Sequence, residues 1–398
     1  MKTLIIAEAG VNHEKNMAQA EQLVDIAAKA GVDVFKTQTF TAGSLVTRNC
    51  PPAQYQTDNV GAAEQYSMLE QLELPYAWHT PLKARAEAAG MEFLSTAFEF
   101  ESFDFLMGLG LRRIKIPSGE ISNLPFVVHQ ARAKLPLILS TGMATMDEIY
   151  DALGACIVGY RGDTHVNINT IRAAWADKDA RKLLDGRVTV LHCTTNYPVK
   201  WDEVDMRALP TMHKLLGLPI GYSDHTPGIV ASLAAVAMGA TIIEKHYTIS
   251  RAMDGAAGHP SPDHKASLEP NELQALVEGI RMVEQSPTLD TVREACKALE
   301  ARYAIQSGIE HLDTLLGRAE KVPAQGAREV ARVAKKSIVA SKAIKVGEVF
   351  GYNNITMKRP MGGMAPDAFF DLLGKPSAQS YAPDDFIAPS ELAAPKVA

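Results

Sequence analysis

Short runs of β-branched and aliphatic residues alternate with helix-length amphipathic segments through the first two thirds of the chain. That alternation predicts parallel strands joined by crossover helices. Eight strands are expected, at 3–7, 33–37, 92–95, 113–116, 137–139, 188–191, 219–222 and 241–244. Two of the intervening helices show the periodicity plainly. In MAQAEQLVDIAAKAG the residues Ala20, Leu23, Val24 and Ala27 form one apolar stripe that ends at Gly31, and in LEPNELQALVEGIRMVE the stripe is Leu273, Leu276, Val277, Ile280 and Val283. An open doubly wound sheet shows the same alternation, so the count alone does not choose between an open sheet and a closed barrel.

The placement of reactive side chains does choose. At or just after the carboxyl ends of the expected strands stand Glu8; Lys36 and Gln38; Thr96; Lys115 and Ser118; Ser140 and Thr141; His192 and Thr194; Ser223, Asp224 and His225; and Lys245 and His246. Every strand contributes. A (β/α)8 TIM barrel brings all eight ends to one mouth, whereas an open sheet uses only those at its switch point. The expected fold is therefore an α/β TIM barrel over residues 1–285.

Beyond it, residues 286–330 read as a helical connector. Residues 331–398 are short β-like pieces (KSIVASKAI, ITMKRP, SAQSYAP) punctuated by Gly, Pro and Asn, a small β-rich domain whose thin core needs something larger to lean on. The stretch 160–185 is a mixed-charge insertion with one helix-like piece and no evident chemistry.

Composition narrows the partners. The 398 residues are 46% hydrophobic and 22% charged, and 40 basic against 46 acidic side chains leave a formal charge of -6. That balance lacks the basic excess a phosphate backbone demands, so no nucleic acid is expected. The longest apolar stretch, 229–243, is too short for a membrane span. Cys50, Cys156, Cys193 and Cys296 are far apart and expected to be reduced, in keeping with a cytoplasmic protein.

His225 and His246 follow consecutive strands at matched positions, so their imidazoles can meet at the mouth and hold a divalent metal with positions left open for water and substrate. Either alone reads more readily as a satisfied polar residue, and it is the matched pair that brings the metal reading level with it. Asp224 and Glu244 are candidate partners for the two rings. Lys36, Lys115 and Lys245 suit an anionic substrate, with Thr96, Ser118 and Ser223 adding hydroxyls, although any one lysine also reads as a solvent-seeking side chain. Glu8 ends an apolar strand, which favours a proton-transfer role. Asn12-His13 reads as a turn, and Asp263-His264 as a polar loop after the eighth strand.

These segments carry a resemblance. AEAGVNHE, VFKTQTF, FLSTAF, IKIPSGE, LSTGMAT, LHCTTNYP, GYSDHT, IEKHYT and PDHKASLEP are similar, in order and spacing, to the N-acetylneuraminate (sialic acid) synthase family. The C-terminal VAKKSIVASKAIKVGE, ITMKRP and LLGK resemble that family's antifreeze-like SAF domain. The resemblance implies a condensation of phosphoenolpyruvate with an N-acetylhexosamine such as N-acetylmannosamine, dependent on a divalent metal, Mn2+ foremost and Mg2+ or Co2+ next. It implies metal ligation by His225 and His246. Phosphoenolpyruvate contacts fall to Lys36, Thr96, Lys115, Ser118 and Ser223, sugar-side roles to Glu8, Tyr197 and Asp263, and a substrate contact to Gln38. Thr195 and Asn196 both remain open for the polar position before Tyr197. Arg359 is implied to reach the site from the other subunit of a domain-swapped homodimer.

Ala97, the residues preceding Asp263 and the RPMGGM segment depart from the family pattern. Legionaminate synthases, which use a diacetamido-dideoxyhexose, share nearly all of these motifs and are the alternative. A 3-deoxy-octulosonate or heptulosonate phosphate synthase would need a second phosphate site. A non-enzymatic SAF binding module would leave eight reactive strand ends unexplained.

Overall fold

The computed structural model describes residues 2–253 and 260–392. Eight parallel strands form one sheet: β1 (Leu4–Gly10), β2 (Val34–Thr39), β3 (Glu92–Ala97), β4 (Ile114–Ile116), β5 (Leu137–Ser140), β6 (Val188–Cys193), β7 (Ile220–Asp224) and β8 (Ile242–His246). Their order is β3-β2-β1-β8-β7-β6-β5-β4, and β3 stands beside β4, so the sheet curls into a TIM-type barrel. The strands lie where the alternation predicts them, but most run one to three residues further at the carboxyl end. Many of the polar residues taken as following the strands, among them Glu8, Gln38, Thr96, Ser223 and His246, are thus their last rungs, whereas Ser118, Thr141, Thr194 and His225 do follow them.

Local chemistry accounts for the helices that close the barrel. Asn16 caps Met17–Ala30 by accepting from the Gln19 amide, and Gly31 ends it in the left-handed region. The buried face is Ala20, Leu23, Val24, Ala27 and Ala30. In Pro270–Gln285 the apolar stripe is buried as expected, apart from the half-buried Val277. Part of the expected connector belongs to the barrel core: the helix Leu289–Tyr303 buries Val292, Ala295, Cys296 and Leu299 in the main apolar cluster.

Two additions cover the carboxyl ends of the strands. Between β2 and β3 the chain forms short helices, among them Gln54–Val60 and Gln65–Leu72, whose apolar residues cluster with Val11, Phe40 and Phe98. The C-terminal domain contributes an antiparallel pair, β9 (Ser337–Ala340) and β10 (Ile355–Lys358), around a separate core of Ile338, Phe350, Met357, Phe369 and Ile387. The helix Gln325–Ala334 leads into it, burying Ala327, Val330 and Ala331 against Met143 and Tyr55 of the barrel.

This domain sits over the barrel of its own chain. The Arg359 amide donates to Leu45 O (3.0 Å), and its carbonyl accepts from the Thr47 amide (2.9 Å). The resemblance implied the other subunit's barrel instead. A chain alone meets only its own barrel, and exchange of the domain between two copies conserves every such contact.

Candidate active site

Strand alternation decides which end residues enter the barrel. On β8, Glu244 and His246 face inward and Lys245 outward. On β7, Ser223 faces inward and Asp224 outward. Lys245 and Asp224 therefore meet behind the sheet at 3.0 Å, both wholly buried, and Asp224 also accepts from Thr226 and Ser232. Neither does the work first assigned to it: Lys245 is no anion ligand, and Asp224 orients no imidazole. His192 likewise faces away, donating from Nε2 to Val204 O at 2.8 Å.

Inside, Glu244 links the two remaining lysines. Its Oε2 lies 3.3 Å from Lys36 Nζ and its Oε1 3.3 Å from Lys115 Nζ, while Ser223 Oγ donates to Oε1 at 2.8 Å. Burial alone would raise this carboxyl, but Lys115 and Lys36 outweigh it and hold Glu244 below the usual carboxylate range. It is thus a counter-charge to the lysines, not the ring partner expected. Lys36 also pairs with Glu8 at 2.6 Å and donates to Thr96 Oγ1 at 3.1 Å, and Lys115 donates to Ser140 Oγ at 2.8 Å.

Glu8 accepts further from Gln38 Nε2 at 3.2 Å. Burial, opposed by Lys36, keeps its carboxyl above the usual range, so Glu8 can exchange a proton near neutral pH. Gly10 follows at a bulge with φ 53°, where a Cβ would press to 3.3 Å on both Gln38 and the His246 ring. Only glycine combines that backbone with that proximity.

His225 and His246 stand side by side with ring centroids 5.6 Å apart, and Tyr197 lies 4.2 Å from the first and 5.5 Å from the second. His225 Nδ1 contacts Thr194 O at 2.8 Å. A carbonyl only accepts, so Nδ1 carries a proton and Nε2 is the nitrogen left to face a cation. His246 Nδ1 is buried without a hydrogen-bond partner, and burial followed by His225 drives its pKa far down. A neutral imidazole with an unused nitrogen is what a divalent cation requires. Among the described residues no three His, Cys, Asp or Glu form a ready-made cage. The donor set fits an ion held by two imidazoles, with its other positions open.

Asp263 Oδ2 lies 3.7 Å from His246 Nδ1, and burial, opposed by His225, His264 and Lys36, pushes its carboxyl up to about 6. The AEAGVNHE segment holds its loop in place. Glu14 meets His264 Nε2 at 3.0 Å, His264 Nδ1 meets Thr248 Oγ1 at 2.9 Å, and Asn12 Nδ2 donates to Tyr247 O and Ser267 Oγ. The turn expected at Asn12-His13 is therefore also the anchor of the Asp263 loop. Residues 254–259, within the stretch that departs from the family before Asp263, lie outside the described residues.

Thirteen of the expected site residues line one pocket, partly open to solvent: Glu8, Lys36, Gln38, Thr96, Lys115, Ser118, Thr195, Tyr197, Ser223, His225, His246, Asp263 and Arg359. Of the two candidates before Tyr197, Thr195 lines the cavity and shares a hydrogen bond with Ser118 Oγ at 3.0 Å. Asn196 does not line the cavity. Its Oδ1 accepts from the Tyr197 amide, and its amide nitrogen approaches Gly326 of the helix leading to the C-terminal domain. Sequence reasoning missed Tyr55, Gln56, Met68, Leu69, Leu72 and Phe98, which supply a largely apolar wall opposite the charged floor.

Lysines paired on one carboxylate, a proton-exchanging glutamate and two adjacent imidazoles, gathered at the mouth of a TIM-type barrel, define an enzyme for a small anionic substrate. Residues 23–290 match the NeuB family and residues 335–393 the SAF domain. The chain is 38% identical to N,N'-diacetyllegionaminic acid synthase of Campylobacter jejuni over 97% of its own length and 99% of the relative's. It is 36% identical to the enzyme of the same name from Legionella pneumophila, over 94% of this chain and 90% of the relative. The crystal structure of spore coat polysaccharide biosynthesis protein spsE from Bacillus subtilis superposes with a TM-score of 0.70 at 29% identity, covering 99% of this chain and 96% of that one. The chain belongs to the NeuB family, and it is a phosphoenolpyruvate-dependent transferase that forms a carbon–carbon bond in sugar acid synthesis.

Proposed function

We propose that the chain condenses phosphoenolpyruvate with a diacetamido-dideoxyhexose, releasing phosphate and a legionaminate-type nonulosonic acid. The full-length likeness to two N,N'-diacetyllegionaminic acid synthases carries this reading and sets it ahead of N-acetylmannosamine as the sugar. The apolar wall of Met68, Leu69, Leu72 and Phe98 is consistent with it, since a sugar short of hydroxyls and bearing two acetyl methyls gains from such a surface. A phosphorylated sugar is disfavoured because Arg359 is the one arginine among the described residues lining the cavity.

In this reading Lys36 and Lys115 hold the phosphate and carboxylate of phosphoenolpyruvate, helped by Thr96, Ser118 and Ser223. Tyr197, Asp263, Gln38 and Arg359 hold the open-chain sugar with its aldehyde toward C3 of the enol. Glu8 moves the proton at the aldehyde oxygen, and water adds at C2 before phosphate leaves by C–O cleavage. His225 and His246 would hold the divalent metal, Mn2+ foremost, which when bound supplies Lewis-acid polarisation of the aldehyde. The reading includes a cytoplasmic homodimer with exchanged C-terminal domains.

Phosphate release from phosphoenolpyruvate, measured across a panel of sugars, tests the assignment. The expected kcat/KM for the diacetamido-dideoxyhexose exceeds that for N-acetylmannosamine by about 100-fold, within the range that mismatched polar and apolar groups produce. The reverse preference would return the assignment to N-acetylneuraminate synthesis. Turnover confined to a phosphorylated sugar would defeat both.

A further inference from the structure

One ion pair that crosses from the barrel to the C-terminal domain is fully enclosed. Lys336 Nζ lies 3.1 Å from Glu120 Oε1, with side-chain exposures of 1% and 0%. The same ammonium donates to Phe98 O, and Asn123 Nδ2 donates to the other carboxylate oxygen of Glu120 at 2.8 Å. Neither charge can stay buried without the other.

The pair sits beside the site on both of its ends. Glu120 lies two residues after Ser118, which lines the cavity. Between them, a Cβ on Gly119 would approach Ala334 O at 3.3 Å and Arg359 Nη2 at 3.5 Å, so the glycine admits the other domain. Lys336 immediately precedes β9, and β9 pairs antiparallel with β10 in the register Ser337 to Lys358. Lys336 and Arg359 are the next residues of these two strands, and Arg359 bonds the barrel through Leu45 and Thr47. Holding Lys336 thus restrains the hairpin that carries the arginine.

We propose that Glu120 and Lys336 form a latch that docks the C-terminal domain and positions Arg359 over the mouth. Both are positioning residues, acting through Arg359 and touching no substrate. The inference rests on the proposed function only for which substrate feels the loss.

The test compares Lys336→Met, Glu120→Gln and the double variant, in the full-length protein, by two readouts. The first is hydrogen exchange at the Thr47 and Arg359 amides, whose bonds join the two domains. The second is KM for each substrate. Each single variant leaves one buried charge unpaired, so amide protection should fall at least about tenfold, and the sugar KM should rise by about as much while that for phosphoenolpyruvate stays within about twofold. The double variant removes both charges and should recover most of each loss, and Lys336→Arg should stay near wild type. Unchanged protection in the single variants overturns the latch. So does an equal rise in both KM values, or a double variant no better than the singles. Should Lys336→Met fail to fold, Glu120→Asp, which keeps the charge but shortens its reach, takes its place with the same expected split. If even the wild-type chain turns over no sugar, the proposed function fails and amide protection alone decides the latch.

Discussion

His225 Nδ1 lies 2.8 Å from the carbonyl oxygen of Thr194, and this single bond fixes which nitrogen of the ring is free. The Nδ1 proton is committed to the backbone, so Nε2 is the nitrogen left to face a cation beside a second imidazole that burial keeps neutral. Chelation should abolish turnover, and added Mn2+ should restore it. A His225→Ala, His246→Ala double variant should lose more than about 100-fold in kcat/KM, because Lewis-acid activation supplies several kcal/mol. It should also lose the bound Mn2+ signal in electron paramagnetic resonance. Full metal-dependent activity in that variant would remove both residues from the metal site.

Lys115 carries a different expectation, because its ammonium is tied to Glu244 and Ser140 on the floor of the cavity. Replacement by Met removes a charged donor to phosphoenolpyruvate, an effect of about 1.5–3 kcal/mol. Steady-state kinetics on Lys115→Met should show a phosphoenolpyruvate KM raised about 10- to 100-fold and a sugar KM changed far less. A larger rise for the sugar would place the lysine on the wrong substrate.

The barrel was legible because its signal is statistical: eight runs with chemistry at every end. Facing was not. Glu244, Lys245 and His246 follow one another, and alternation sends the middle one outward, but parity needs one residue of known direction. In a parallel barrel both faces of a strand are buried, so no polar stripe marks the outer one. That is why Lys245, Asp224 and His192 were grouped with the mouth, and why Glu244 was assigned to the rings instead of the lysines. The apolar wall escaped for another reason. The helices Gln54–Val60 and Gln65–Leu72 have seven and eight residues, about two turns each, too few for a stripe to repeat. Arg359 was legible only through the family resemblance, since nothing in KRP itself points to a cavity at the mouth of the barrel.

His192 affects stability through pH. It is buried behind the mouth, and burial, with Lys321 adding to it, depresses its pKa from 6.5 to about 3. Between those values the unfolded chain binds a proton that the native chain does not, so stability falls as the pH drops below 6.5. By pH 5 the loss from this residue is about 2 kcal/mol. Urea unfolding of wild type and His192→Gln at pH 7.5 and 5.0 measures it: the drop in stability between the two pH values should be smaller in the variant by about that amount. Equal drops would mean that the native ring takes up the proton.

Arg359 offers a planar donor fork suited to an acetamido oxygen, and its guanidinium lies 5.5 Å from the Phe98 ring centre and 3.4 Å from Gln65 Oε1. Arg359→Ala should weaken sugar binding by about 2 kcal/mol, the scale of a charge-assisted hydrogen bond, and leave phosphoenolpyruvate binding nearly unchanged. Its origin in the working assembly is open to a sharper experiment. The single chain closes its C-terminal domain over its own barrel, and an exchanged pair makes identical contacts between two copies. An Arg359→Ala chain mixed with a His225→Ala chain under subunit exchange separates these arrangements. With exchanged domains, one site of the mixed dimer collects both lesions and the other collects neither, so at low sugar concentration, where Arg359→Ala turns over poorly, activity should rise well above that of either parent, up to half that of a wild-type dimer. With each domain on its own barrel, every site keeps one lesion and the mixture stays at the average of its parents. That result would remove the exchanged dimer while leaving Arg359 in the site, because each contact that holds the arginine over the cavity is already satisfied within one chain.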